Sequence, residues 1–127
     1  MDRSFKYTLL AARILLALIF VAGGADKISK YAATQATMQS AGVPGALLSW
    51  VIALELGGGL ALLAGAFTRP VSLLLCGFCL LSAVVFHSHF ADTVQAAMFM
   101  KNLAIAGGFL ALFASGPGAL SLDERRR

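Results

Sequence analysis

Glu55 is the residue whose position most demands a chemical explanation. It lies nine residues into the predominantly apolar run from Ala46 to Phe67. At 1.5 Å per helical residue this is a depth of about 14 Å, near the midplane of a bilayer. A charge at such a depth costs about 2.5–3.5 kcal/mol on insertion scales, so it calls for a partner. Two basic residues interrupt other apolar runs: Arg13, about 9 Å into the first, and Lys101, about 6 Å into the last and followed by Asn102. Both side chains are long enough to lean towards Glu55. The expected arrangement is a buried Arg13–Glu55–Lys101 network completed by Asn102. Such a carboxylate, its charge controlled by neighbours, suits a proton acceptor beside a redox ligand. It equally suits a quinone head group contacted by Glu55, Lys101 and His87. The plainer readings are a network that only fixes helix register and an Arg13 that snorkels to the interface.

Other groups carry weaker signals. His87 and His89 share one face of an extended segment, with Asp92 nearby. Two histidines at this spacing do not define a metal site, and interfacial histidines able to exchange protons near neutral pH are the better reading; no metal is assigned. Cys76-Gly77-Phe78-Cys79 has CxxC spacing, with both sulfurs on one helix face. It falls within an apolar run, where thiolates are disfavoured, so it reads as packing, with redox exchange as the minor alternative.

The elements that position these groups are membrane spans. The chain is 59% hydrophobic before its 13 glycines are counted, and only 13% charged. Soluble domains reach about 45–50% with glycine included. Too few polar residues remain to cover a soluble globule of 127 residues. The formal net charge of +4 comes from basic residues that flank apolar runs, which excludes a nucleic-acid-binding patch. Four runs are long enough to cross a hydrocarbon core: Tyr7 to Ala25, Ala46 to Phe67, Val71 to Phe86 and Ala97 to Ser115. None alternates with a period of two, which excludes a β-barrel. The predicted fold is a single all-α membrane domain over residues 1–127, a four-helix transmembrane bundle. In the long connection, Ile28, Tyr31, Gln35 and Met38 predict a short interfacial helix, and Gly42-Val43-Pro44-Gly45 ends it. The first run also has the outline of a signal peptide, but Arg13 interrupts it.

With four spans both termini lie on one side, together with Arg69. That side carries Arg3, Lys6, Arg69, Arg125, Arg126 and Arg127; the other carries Lys27 and Lys30. The positive-inside rule then places the termini in the cytoplasm. Ala53, Gly57, Ala61 and Gly65 recur every four residues as a small-residue face, suited to packing within one monomer or to homo-oligomers through Gly57, Ala61 and Gly65. Residues 57–64 and 107–114 are weakly alike at an offset of 50, which suggests a two-plus-two repeat.

Several of these stretches together carry a family resemblance. The first span ends Gly24-Ala25-Asp26-Lys27 after Arg13 and Phe20. Gly42-Val43-Pro44 precedes the second, which reads Glu55-Leu56-Gly57-Gly58-Gly59-Leu60 and ends Thr68-Arg69. Gly116-Pro117-Gly118-Ala119-Leu120-Ser121-Leu122-Asp123 closes the chain. In these features it resembles the DoxX family of small four-span bacterial membrane proteins. The resemblance implies an inner-membrane helical bundle. Some relatives are membrane subunits of a thiosulfate:quinone oxidoreductase; others are linked to thiol or oxidative-stress complexes with soluble partners. No settled set of catalytic residues carries over, although the matches at Arg13, Glu55 and Lys27 coincide with the residues that membrane cost selects. The CxxC lies outside the family pattern. The leading expectation is a subunit or anchor of a quinone-linked redox assembly, with a soluble redox protein as partner. A non-catalytic organiser recruiting a soluble enzyme comes second, and a small-solute or proton pathway third.

Overall fold

The computed structural model describes residues 3–126. The chain forms α1 (Arg3–Ser29), α2 (Tyr31–Ser40), a 3-10 turn (Gly45–Leu47), α3 (Leu48–Ala64), α4 (Thr68–Phe86), α5 (Thr93–Ser115) and a terminal turn of helix, α6 (Leu122–Arg125). The all-α bundle expected from the sequence is present, with no strand among the described residues. Four helices are long and apolar enough to cross a membrane, and only 22–28% of each span is buried within the protein. Much of the remainder is exposed and faces hydrocarbon, as Leu15 (70% exposed) and Leu81 (65%) do. The protein therefore requires a lipid bilayer around it.

Element boundaries differ from expectation where local chemistry overrides hydropathy. The second span stops at Ala64 because Gly65 adopts a left-handed conformation (φ +74°). Its amide donates to the Leu62 carbonyl and that of Ala66 to Ala61, the paired bonds of a Schellman motif. The third span starts at Thr68, and Pro70 sits inside its first turn, where an amide hydrogen has no helical acceptor. The fourth begins at Thr93, because Asp92 caps it by accepting from Val94 and Gln95. The interfacial helix expected between the first two spans is α2. It lies across one end of the bundle, tied by Tyr31 Oη to Ser49 Oγ (2.8 Å) and by Gln35 Nε2 to the Gly45 carbonyl (3.1 Å).

The spans associate as two pairs, α1 with α3 and α4 with α5. The central core of Ala17, Phe20, Leu62, Leu75, Ala106, Phe109 and Leu112 joins the pairs, with Phe20 tilted against Phe109 at 5.5 Å. The two glycine stretches that echo each other bury corresponding positions: Gly59 and Phe109, Leu62 and Leu112. Glycines set the close approaches. A methyl group on Gly59 would stand 2.8 Å from Val21 Cγ2 and 3.3 Å from the Ala17 carbonyl oxygen; one on Gly24 would stand 2.6 Å from Leu56 Cγ. The proposed small-residue face is not continuous, however. Gly57 is open, whereas Gly65 has left the helix and is buried against Arg13 and Ser121.

This contrast has a measurable consequence. Gly59→Ala is expected to destabilise the protein by about 1–3 kcal/mol through overpacking. Gly57→Ala should be neutral or stabilising by up to about 1 kcal/mol, because alanine is the better helix former. Thermal unfolding of both variants in the same detergent checks the order.

Candidate functional site

The polar residues within the spans divide between the two ends of the bundle. At the end carrying the termini, Arg13 is 1% exposed, and its Nη2 donates to the Leu120 carbonyl at 2.6 Å. It neither snorkels nor reaches towards Glu55. It packs beside Gly65, whose missing side chain leaves the room the guanidinium occupies. The closing segment Gly116 to Asp123 folds back across this end. Gly118 lies over Leu9, the Gly65 carbonyl accepts from the Asp123 amide at 3.0 Å, and Arg69 Nε donates to the Phe113 carbonyl at 3.1 Å. The Asp123 carboxylate then caps α4 from 55 residues away in sequence, accepting from Phe67 N (2.7 Å) and Thr68 N (2.9 Å). Partial burial pushes its pKa up, but the hydrogen bonds from Thr68 and Phe67 and the charge of Arg126 outweigh this and hold it below the ordinary aspartate value.

A carboxylate with a depressed folded pKa contributes stability above its unfolded pKa, near 3.9, and loses that contribution as the pH falls through the folded value. Asp123→Ala is thus expected to cost about 1–2 kcal/mol near neutral pH, as for loss of a helix cap. The difference in Tm between wild type and variant should shrink as the pH is lowered below about 4. Melting curves from pH 7 to pH 3 measure this.

The opposite end holds Glu55. Its partner is Lys27, with Nζ 2.9 Å from Oε1; the Glu55 side chain is 4% exposed and that of Lys27 30%. Gly23 lies one helical turn before Lys27 and leaves the carboxylate its space, since a methyl group there would stand 2.9 Å from Oε2. The expected Arg13–Glu55–Lys101 network is accordingly divided. Arg13 belongs to the terminal end, and Lys27 takes its place beside Glu55. By sequence Lys27 is a family match that falls among the charges outside the apolar runs. Its signal was the four-residue interval from Gly23 on one helix face.

Glu55 and Lys27 border a cavity of about 410 Å³, whose polar wall also includes Lys101, Asn102, His87 and Gln95. Its apolar wall includes Phe20, Phe78, Phe86 and Met38, so the cavity is enclosed by all four spans and roofed by α2. Asn102 Nδ2 donates to the Cys79 carbonyl (3.3 Å), linking α5 to α4. His87 Nδ1 is 2.7 Å from Gln95 Oε1, so the imidazole is held at the rim by the α5 first turn. Asp92 serves as a helix cap, and no cluster of three potential metal ligands occurs among the described residues. Ile19 on α1, Thr37 on α2 and Lys101 on α5 line the cavity and are exposed, so it is open to the surface. The arrangement can hold an amphiphilic molecule with its polar head at Glu55 and Lys101 and its apolar part along the phenylalanines.

Fold and site together define a small four-span helical membrane protein with a charged, largely apolar-walled cavity at one end. The DoxX family model matches residues 8–88, and the chain belongs to that family. Over 115 residues it is 54% identical to inner membrane protein YqjF of Escherichia coli K12, an alignment covering 91% of this chain and 88% of the relative. It is 40% identical over 124 residues to inner membrane protein YphA of the same organism, covering 92% and 89%. No solved structure matches the chain.

Proposed function

We propose that this protein is a bacterial inner-membrane subunit or anchor of a redox assembly, and that its cavity receives a quinone. The observation carrying this reading is the buried Lys27–Glu55 pair at the polar wall of a cavity otherwise lined by aromatic and aliphatic side chains. A quinone combines a flat, hydrogen-bonding head with an apolar tail, matching those two walls. Its carbonyl oxygens accept hydrogen bonds from Lys101, while His87, whose Nδ1 donates to Gln95, borders the head group at the rim and Glu55 takes or returns the proton that accompanies reduction. Asn102 positions the α4–α5 seam beside the head group, and Lys27 keeps Glu55 in register. Arg13 acts at a distance by fixing the terminal end of the bundle. The distribution of basic residues supports cytoplasmic termini, with the cavity towards the outer half of the membrane. The relatives' names support the inner-membrane placement.

The test compares wild type with Glu55→Gln, both purified in mild detergent from their native membranes and extracted for quinone analysis. Glu55→Gln removes the charge while keeping the shape of the side chain. Quinone is expected with the wild type and reduced at least tenfold in a folded variant. A soluble protein co-purifying equally with both, without quinone, would instead support the organiser, with the loop-end surface around Phe90 and Val94, both exposed, as its contact.

A further inference from the structure

We propose that Cys76 and Cys79 form a reversible dithiol–disulfide couple that exchanges two electrons with a quinone in this cavity. The inference rests on the quinone reading above and adds the redox group with which the quinone reacts. Both cysteines are free and buried, 4% and 3% exposed. Cys79 lines the cavity, within electrostatic reach of Glu55 and Lys101, while Asn102 fixes its carbonyl. Cys76 stands one helical turn away, outside the cavity wall.

Helix geometry puts Cα atoms three residues apart at about 5 Å. That separation lies within the range of about 4.4–6.8 Å in which disulfides form. Bridging residues three apart within one helix asks for rotation of two side chains and a small adjustment of one turn. Gly77 lies between them and gives this turn the greater backbone freedom of glycine. Location also selects the partner. Cys79 is about 10 Å along α4 from Phe86 and faces a cavity whose wall is mostly apolar, which favours a lipophilic reactant. A lipophilic two-electron oxidant, with a head small enough for a cavity of about 410 Å³, fits that wall.

The step balances without another reactant. The S–H bonds of Cys76 and Cys79 break and one S–S bond forms. The two electrons pass to the quinone, and the two protons end on its carbonyl oxygens, giving a hydroquinone. Glu55 and Lys101 border the same cavity as Cys79, and Glu55 is placed to relay a proton. The reverse reaction returns the dithiol and releases the quinone.

The experiment uses the full chain, reduced, reconstituted in nanodiscs and kept anaerobic, with decylubiquinone as the probe. Quinone binding is measured by equilibrium partitioning, thiols by alkylation and intact mass, and hydroquinone by absorbance. The expected result is loss of two alkylatable thiols and a mass decrease of about 2 Da per chain, with one hydroquinone formed. Cys76→Ser, which alters no cavity residue, should bind decylubiquinone within twofold of wild type and form no hydroquinone. Binding with both thiols still alkylatable would overturn the dithiol couple and leave the quinone site standing. Failure of the wild type to bind would overturn both.

Discussion

A carboxylate inside a bilayer needs a counter-charge that lipid cannot supply, and much of this fold follows from meeting that need at Glu55. The lysine must arrive from another helix, and Lys27 does so from the last turns of α1, where that helix extends beyond the sequence-predicted span. α1 and α3 must then lie close together, and they do so because Gly24 and Gly59 remove the side chains that would hold them apart. Gly23 leaves room for the carboxylate itself. In lipid, where apolar burial provides little association between helices, close packing and one strong polar contact carry much of the pairing. Removing one partner of such a pair leaves an uncompensated charge, at a typical cost of about 3–5 kcal/mol.

At the terminal end the buried charge meets a neutral acceptor instead, and Arg13 Nε and Nη1 have no hydrogen-bond partner among the described residues. Arg13 is buried by a carbonyl from the closing segment, and that segment is held by Gly65 and by the cap that Asp123 places on α4. Here the polar residues join segments distant in sequence, closing the bundle. At the other end they leave space. One end is thus closed by backbone and side-chain bonds, while the other keeps a cavity with charge in its wall.

Hydropathy and length revealed the spans because the bilayer imposes both, and the interfacial helix was readable from Tyr31, Gln35 and Met38. Boundaries were less legible. Asp92 has the signature of a cap, with Gln95 three residues later, but it lies between the apolar runs that end at Phe86 and begin at Ala97. Asp123 was not readable at all, because nothing in sequence ties it to an amide 55 residues away. The same limit governed the site. Membrane cost identified Glu55 and Arg13 as residues needing partners, but depth along a span does not say which end of a bundle a long side chain approaches. Arg13 and Glu55 were therefore joined in one network when each belongs to its own end. The cavity itself depends on how two helix pairs meet, and no local pattern encodes that.

Glu55 is paired with Lys27 and not with Arg13. Solid-state NMR of the protein in lipid measures this directly, through dipolar coupling between the Glu55 carboxyl carbon and labelled side-chain nitrogens. The expected result is strong coupling to Lys27 Nζ, in keeping with the 2.9 Å contact, and none to Arg13. Coupling of Glu55 to the Arg13 guanidinium, with Lys27 uncoupled, would contradict it.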